Sequence, residues 1–394
     1  MVNDKSMANE KWQMVNPKQL KVALVCDWLT GAGGAERVVL ELHRLYPKAP
    51  IYTSQYNADP RIWFGEQWFA DADVRTGWLQ RLPIRLKKFL PVWRGRYFRK
   101  LDLSEYDLVI SASGAEAKGI RTGPQTVHIS YIHAPTHYYW SRYDDYLKTP
   151  GFGWLDPLAR LGLKLLVGRL RRHDYTDAQQ PDYLIANSHH TAKEIKKYYG
   201  RQASVIHPPV DVERFQQRTE NQEQRTESRG SRTSFIAAGR QVPYKRLDLA
   251  VQAATQADMP LVVIGRGPDH RRLQKMAGRR VTFLTNVSDE QMPQLFGSAQ
   301  AFIFPGVDDF GIVAVEAMAA GTPVIAYEAG GALDYVEPTT GAFFNEPTVD
   351  SLARALADFK PANYDPAKIA AAAKRFDGAH FRTAMLDFIN KSIK

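Results

Sequence analysis

The sequence predicts an α/β protein of two doubly wound, Rossmann-like domains facing a cleft. Three observations lead there. Short apolar strand-like runs alternate with amphipathic helix-like runs along most of the chain, the pattern of parallel sheets covered on both faces. The alternation stops at QQRTENQEQRTESRGSRT (216–233), which holds no apolar residue, and then restarts. The 394 residues exceed one typical domain and fit two, each with a sizeable core.

The elements follow in order. The polar lead MVNDKSMANEKWQMVNPKQ lacks an apolar stretch of signal-peptide type, so residues 1–18 are expected to be disordered. LKVALVCDWL reads as a buried strand and GGAERVVLELHRLYP as an amphipathic helix. IYTSQY, DLVISAS, TVHISYIHAP and PDYLIANS are further strands. HHTAKEIKKYYG is a helix closed by Gly200, and ASVIHPPV is another strand. After the polar stretch, SFIAAGR, LVVIGRG, VTFLTNV, AFIFPG and PVIAYEAGG are strands. RLDLAVQAATQ, HRRLQKMAG, DEQMPQLFGSA, GIVAVEAMAA and SLARALADF are helices between them. The tail is helical with a break near Asp377-Gly378.

Composition limits the function classes. One cysteine, Cys26, excludes an internal disulfide framework and suits a reducing compartment. No run approaches the length of a membrane span. A net charge of +10 points to an anionic partner: nucleic acid, lipid headgroups or a phosphorylated substrate.

In doubly wound sheets ligands sit at the carboxyl ends of the strands, and the motifs fall there. In CDWLTGAGGAERV, Gly33 and Gly34 let the backbone turn and aim helix N–H groups at a phosphate. A plain strand-to-helix turn reads the same stretch equally well. In GRQVPYKRLDLAV, Arg240 and Lys245 form a pair of cations suited to a diphosphate, or a solvated pair at a helix start. In FPGVDDFGIVAVEAM, Asp308 and Asp309 precede a helix begun by Gly311, Ile312 and Val313. Its N–H groups suit phosphate, and the carboxylate of Glu316 suits paired hydroxyls. Dipole compensation accounts for the aspartates, but less well for a carboxylate among apolar neighbours.

Other motifs are less specific. His128, His133 and His137 lack a carboxylate or cysteine at ligand spacing, which disfavours a metal. His133 ends a strand, where it could donate a hydrogen bond or act as an acid/base group. Asp71-Ala72-Asp73 is a DxD triplet away from any strand end. Segments 81–100 and 158–175 interleave Lys and Arg with Leu, Ile, Phe and Trp. That composition fits an anionic membrane surface, basic helices packed on the domain, or nucleic acid, although no nucleic-acid motif is present.

Together these motifs resemble the family-4 retaining glycosyltransferases of the GT-B fold, over nearly the whole chain from about Lys21. The acid-x7-acid segment that runs into EAMAAGTPVIA is the most specific part, and GRQVPYKR is next. CDWLTGAGGAERV, YIHAPTHYYW, PDYLIANS and VIHPPVDVERF are similar to bacterial mannosyltransferases of polysaccharide assembly. The resemblance implies GDP-mannose as donor, or a UDP-hexose as the alternative. It implies a lipid-linked or polysaccharide-precursor acceptor, no metal and no further cofactor. It gives Arg240 and Lys245 the donor diphosphate and Glu316 the ribose. Asp308, Asp309, Phe310, Gly311, Ile312 and Val313 hold sugar and phosphate, Gly33 and Gly34 border the diphosphate, and His133 lies near the reacting carbon. It divides the chain into an acceptor-side domain (19–215), a polar linker (216–233), a nucleotide-sugar domain (234–376) and a helix (377–394) crossing back to the first domain. With the basic segments it implies a cytoplasmic protein, peripheral on the inner face of the plasma membrane. One position departs: the family usually has Glu where this chain has Asp308, one methylene shorter. A non-catalytic nucleotide-sugar-binding protein at the membrane and a basic nucleic-acid binder are the readings from other classes.

Overall fold

The computed structural model describes residues 20–63, 68–84, 90–148, 150, 153–216 and 233–393. The lead 1–18, residues 85–89 of the first basic segment and residues 217–232 of the polar stretch lie outside the described residues. The chain forms two compact units: one runs up to Pro209 and includes Phe381–Lys394, and the other is Val210–His380.

The first unit holds a seven-stranded parallel sheet. Its strands are β1 (Val22–Cys26), β2 (Ile51–Thr53), β3 (Val74–Thr76), β4 (Leu108–Ser113), β5 (Val127–Ile132), β6 (Tyr183–Ala186) and β7 (Ser204–Val205). Their order is β3-β2-β1-β4-β5-β6-β7. The central strands VALVC and LVISAS are buried along their whole length, as expected of strands covered on both faces. One face packs Leu24, Ile110, Ile129 and Tyr131, and the other packs Ala23, Val25, Phe98 and Val109. β3 is an edge strand with no buried residue, so its run VRT lacks the apolar signal that marks its neighbours.

The helix Gly378–Ser392 belongs to this unit from Phe381 onward. Phe381, Met385 and Ile389, spaced four apart, bury one helical stripe in the same core as β1 and β4. Arg382 on that helix pairs with buried Glu41, which Arg44 also contacts.

The second unit holds a six-stranded parallel sheet in the order β10-β9-β8-β11-β12-β13. Its strands are β8 (Phe235–Ala238), β9 (Leu261–Ile264), β10 (Val281–Leu284), β11 (Phe302–Phe304), β12 (Val324–Tyr327) and β13 (Gly341–Phe344). Helices Leu247–Gln256 and Val349–Asp358 cover one face, and Ile312–Ala319 and Pro366–Ala373 cover the other. The division between the units falls before the polar stretch, because Val210, Val212 and Phe215 are buried in the second core.

Candidate active site

In the second sheet the strand order reverses between β8 and β11. The loops leaving their carboxyl ends therefore diverge and leave room for a ligand. The loop after β8 carries Arg240, which is exposed, and Lys245, which ends the short turn Pro243–Lys245. The loop after β11 carries Asp308 and Asp309. Lys245 and Asp308 form an ion pair between the loops, and Asp308 is only 8% exposed. Gly306 permits this approach, since a Cβ there would lie 2.8 Å from the carbonyl oxygens of Tyr244 and Lys245. Arg246, next to Lys245, takes a left-handed conformation (φ +51°). Buried Gln241 stiffens the loop: its amide donates to the Gly265 carbonyl at 2.8 Å and pairs with His270 Nδ1 at 2.7 Å.

Gly311 caps the helix Ile312–Ala319 with φ +96°. A Cβ at Gly311 would lie 2.6 Å from the Phe304 ring and 2.7 Å from the Tyr335 hydroxyl, so glycine is required twice over. Ile312 and Val313 are half-buried, and their first-turn N–H groups lie outside the helical ladder. Ala314, Val315, Ala317, Met318 and Ala319 are buried. Glu316 is the one carboxylate of this helix, its side chain 14% exposed. Phe310, proposed from sequence as a substrate contact, turns its ring into the core against Tyr335 and Phe376 (5.4 Å each). Only its backbone is available to a ligand.

Arg214 stands between two carboxylates. Its Nη2 lies 3.9 Å from Glu316 Oε1, and its Nη1 lies 3.9 Å from Asp289 Oδ2. A cavity of about 620 Å³ is lined by Phe283, Asn286, Val287, Gln291 and Gln294 among others.

The first unit repeats the topology, with the order reversing between β1 and β4. Asp27, just past β1, is 7% exposed and accepts N–H bonds from Gly114 (2.8 Å), Ala115 (3.0 Å) and Ala117 (2.7 Å). Gly33 is the N-cap of the helix Gly34–Leu45, with no side-chain cap. His133 follows β5 and is half-buried; its N–H donates to Ser113 and its carbonyl accepts from Asn187 at 2.8 Å. The loop after β4 is thus held by Asp27 below and borders His133 above.

The remaining histidines and acids sort by environment. His128 is fully buried, and burial pushes its imidazole down to about 3, with Arg201 adding to the shift and Asp182 opposing it. Ser111 Oγ donates to Ser130, so His128 donates through Nε2 to Ser111 and is neutral. His137 Nδ1 meets Ser141 at 2.9 Å. The carboxylates of the DxD triplet turn to separate side chains, Asp71 to His43 and Asp73 to Arg75.

The basic segments are less uniformly basic at the surface than their composition suggests. Arg94 is buried against Glu116 at 2.8 Å and lies over the Trp28 ring at 4.8 Å. Arg99 pairs with Asp177 at 2.8 Å, and burial nevertheless pushes the Asp177 carboxyl up to about 6. Apolar side chains do face solvent: Trp78, Trp93, Leu158, Leu161 and Leu165 are 47, 51, 67, 54 and 74% exposed.

Sequence reasoning missed Asp27, Arg214, Asp289 and Gln241. Asp27 lies just beyond a strand end, which is a usable signal, whereas Asp289 lies five residues past the end of β10. Arg214 and Gln241 carry none, because their roles arise from contacts distant in the chain.

Comparisons with known proteins agree with this architecture. Residues 32–214 match the family model "Glycosyltransferase Family 4", and residues 218–376 match "Glycosyl transferases group 1". A GDP-mannose-dependent alpha-(1-6)-phosphatidylinositol monomannoside mannosyltransferase of Mycolicibacterium smegmatis is 27% identical over 57% of this chain and 69% of its own length. The monoacylated-substrate counterpart of Corynebacterium glutamicum is 31% identical over 44% of this chain and 52% of its own. The chain thus spans between about half and two thirds of these relatives. The crystal structure of Anabaena HepE in complex with UDP-glucose superposes with a TM-score of 0.64 at 19% identity, covering 94% of this chain and 99% of that one. The two consecutive family matches, laid over two Rossmann-like units, place the chain in the family-4 glycosyltransferases of the GT-B fold.

Proposed function

We propose that the protein transfers mannose from GDP-mannose to a hydroxyl of a lipid-linked or polysaccharide-precursor acceptor, with the anomeric configuration retained. The observation that carries this reading is the meeting of Lys245, Asp308 and the Gly311-capped helix start at the reversal point of the second sheet. A diphosphate there faces a lysine and helix N–H groups, with Arg240 exposed on the same loop. Asp308 would repel that diphosphate were its charge not offset by Lys245. Glu316 takes the ribose hydroxyls, and the cavity that Asn286, Gln291 and Gln294 help to line takes the base. Mannose and GDP are supported by the activities for which the two bacterial relatives are named.

In the transfer, the bond from the anomeric carbon to the phosphate oxygen breaks. The acceptor oxygen bonds to that carbon on the same face, and its proton passes to the departing phosphate. Lys245, Arg240 and the helix start stabilise the growing phosphate charge. Asp308 and Asp309 border the sugar. These side chains accomplish the step without a metal.

The acceptor side is the first unit, and it meets an anionic membrane surface. Leu158, Leu161 and Leu165 lie at helical spacing on Asp156–Asp177 and are exposed among Arg160, Lys164 and Arg169. Trp78 and Trp93 meet edge to face at 5.8 Å on the same unit. Among the described residues no helix is long and apolar enough to cross a membrane.

A panel of nucleotide sugars, scored by thermal shift and by released nucleotide, tests the donor. Stabilisation by GDP and GDP-mannose above the UDP species is expected. Preference for a UDP-hexose would move the donor assignment, and no turnover with any acceptor fraction would return the protein to a nucleotide-sugar binder.

A further inference from the structure

Arg214 is held in an arrangement unlike the other buried or half-buried arginine pairs of this protein. Arg94–Glu116 and Arg99–Asp177 each close to 2.8 Å. Arg214 instead stands 3.9 Å from Glu316 and 3.9 Å from Asp289. Its Nε is buried with no acceptor, and Asp289 Oδ2 is buried with no donor. Each unsatisfied buried polar atom is costly, and a purely structural ion pair removes that cost by closing. The guanidinium is kept in place by its own neighbour: Cζ lies 4.7 Å over the Phe215 ring, which stacks on Phe296 at 5.8 Å. The cation is therefore positioned by packing rather than by its carboxylates.

A gap of this kind suits a hydroxyl. A hydroxyl oxygen accepts from the guanidinium while its proton is donated to the carboxylate, so one group satisfies both sides. A vicinal diol supplies two such groups. We infer that Arg214 is a further donor-binding residue, completing with Glu316 a two-sided site for the ribose diol of the nucleotide. The inference rests on the reading of Glu316 as the ribose ligand. On it, Glu316 accepts the hydroxyl protons, Arg214 donates to the hydroxyl oxygens, and packing on the Phe215 ring holds the guanidinium in place.

The test is a ligand–protein cycle. Whichever of GDP, UDP and ADP binds the wild-type chain best is titrated by calorimetry, along with its 2′,3′-dideoxy form. The proteins are wild type, Arg214→Met, Arg214→Lys and Glu316→Gln, each checked for folding by thermal denaturation. Loss of the diol should weaken wild-type binding, and Arg214→Met should weaken the ribo form roughly ten- to hundredfold. Binding of the dideoxy form should barely change in Arg214→Met, and Arg214→Lys should recover part of the loss. Equal weakening of both forms by Arg214→Met would overturn the inference, as would no weakening of either. If Arg214→Met fails to fold, Arg214→Lys decides alone: an unchanged ratio of ribo to dideoxy affinity overturns the inference. A Glu316→Gln protein that keeps the wild-type ratio would remove the ribose reading itself, and with it this one. A ratio lost in Glu316→Gln but intact in the Arg214 variants would remove only the role of Arg214.

Discussion

Lys245 has two separable tasks on this structure, and a double-mutant cycle distinguishes them. It offsets the charge of Asp308, and in the proposed transfer it faces the departing diphosphate. The Lys245 side chain is 24% exposed and that of Asp308 11%, so the pair is shielded from water. At an effective dielectric of about 20, opposite charges near contact attract by roughly 5 kcal/mol gross. Desolvation cancels much of this, but removing one partner strands a buried charge at about 3 kcal/mol. Lys245→Ala should therefore lower the midpoint of the second unit by about 6–12 °C, at about 2–4 °C per kcal/mol. Its turnover should fall about a hundred- to a thousandfold, the cost of removing one group that stabilises transition-state charge.

Asp308→Asn removes the carboxylate that needs a partner. In that background Lys245→Ala should cost little stability, because no charge is stranded. It should still cost turnover by the same factor, because the diphosphate still lacks its cation. Differential scanning fluorimetry reads the first quantity, and nucleotide release from the sugar donor reads the second. The reasoning fails if adding Lys245→Ala to Asp308→Asn leaves turnover unchanged, for then Lys245 serves only Asp308. Near-normal turnover in Lys245→Ala alone would remove the clamp altogether.

Three more predictions follow from single sites. Gly311→Ala should destabilise the second unit by about 3 kcal/mol or more, since φ +96° is strained for alanine and the methyl meets Phe304 and Tyr335; a melting curve equal to wild type would refute it. His128 has a folded pKa of about 3 against about 6.5 when unfolded, so the folded state binds fewer protons between those values. Its contribution is fully present above about pH 6.5 and is lost as pH falls toward about 3, at about 1.4 kcal/mol per unit; urea melts across that range should show a flatter acid limb for His128→Gln. Leu161→Asp combined with Leu165→Asp should reduce sedimentation with phosphatidylglycerol vesicles several-fold while nucleotide release in solution persists; undiminished vesicle binding would detach the membrane reading from this helix.

Much of the architecture was legible from local chemistry. Runs such as VALVC and FIAA are apolar throughout because both faces of a parallel sheet are covered, and that burial writes itself into consecutive residues. The start of the helix at Ile312 and the glycine stop at Gly200 were legible for the same reason, since each is a local backbone demand. Edge strand β3 was not, because its run VRT has no buried residue and little apolar pattern; β13, GAFF, also went unread although it is apolar.

Charge partners behaved differently from backbone signals. Lys245 and Asp308 stood in the sequence as two separate ligand groups, 63 residues apart, and the structure joins them. Arg94 belonged to a basic surface by composition and is buried on Glu116. Phe310 stood among site residues and packs into the core. By itself, then, the sequence determined the class of fold, the strand ends where ligands gather and the residue types placed there, because these depend on period, turn chemistry and composition. The tertiary structure alone decided which charges meet and which aromatic turns inward. It also decided that Arg214 stands open between two carboxylates, because such contacts depend on where packed strands and helices bring distant residues, which no local pattern records.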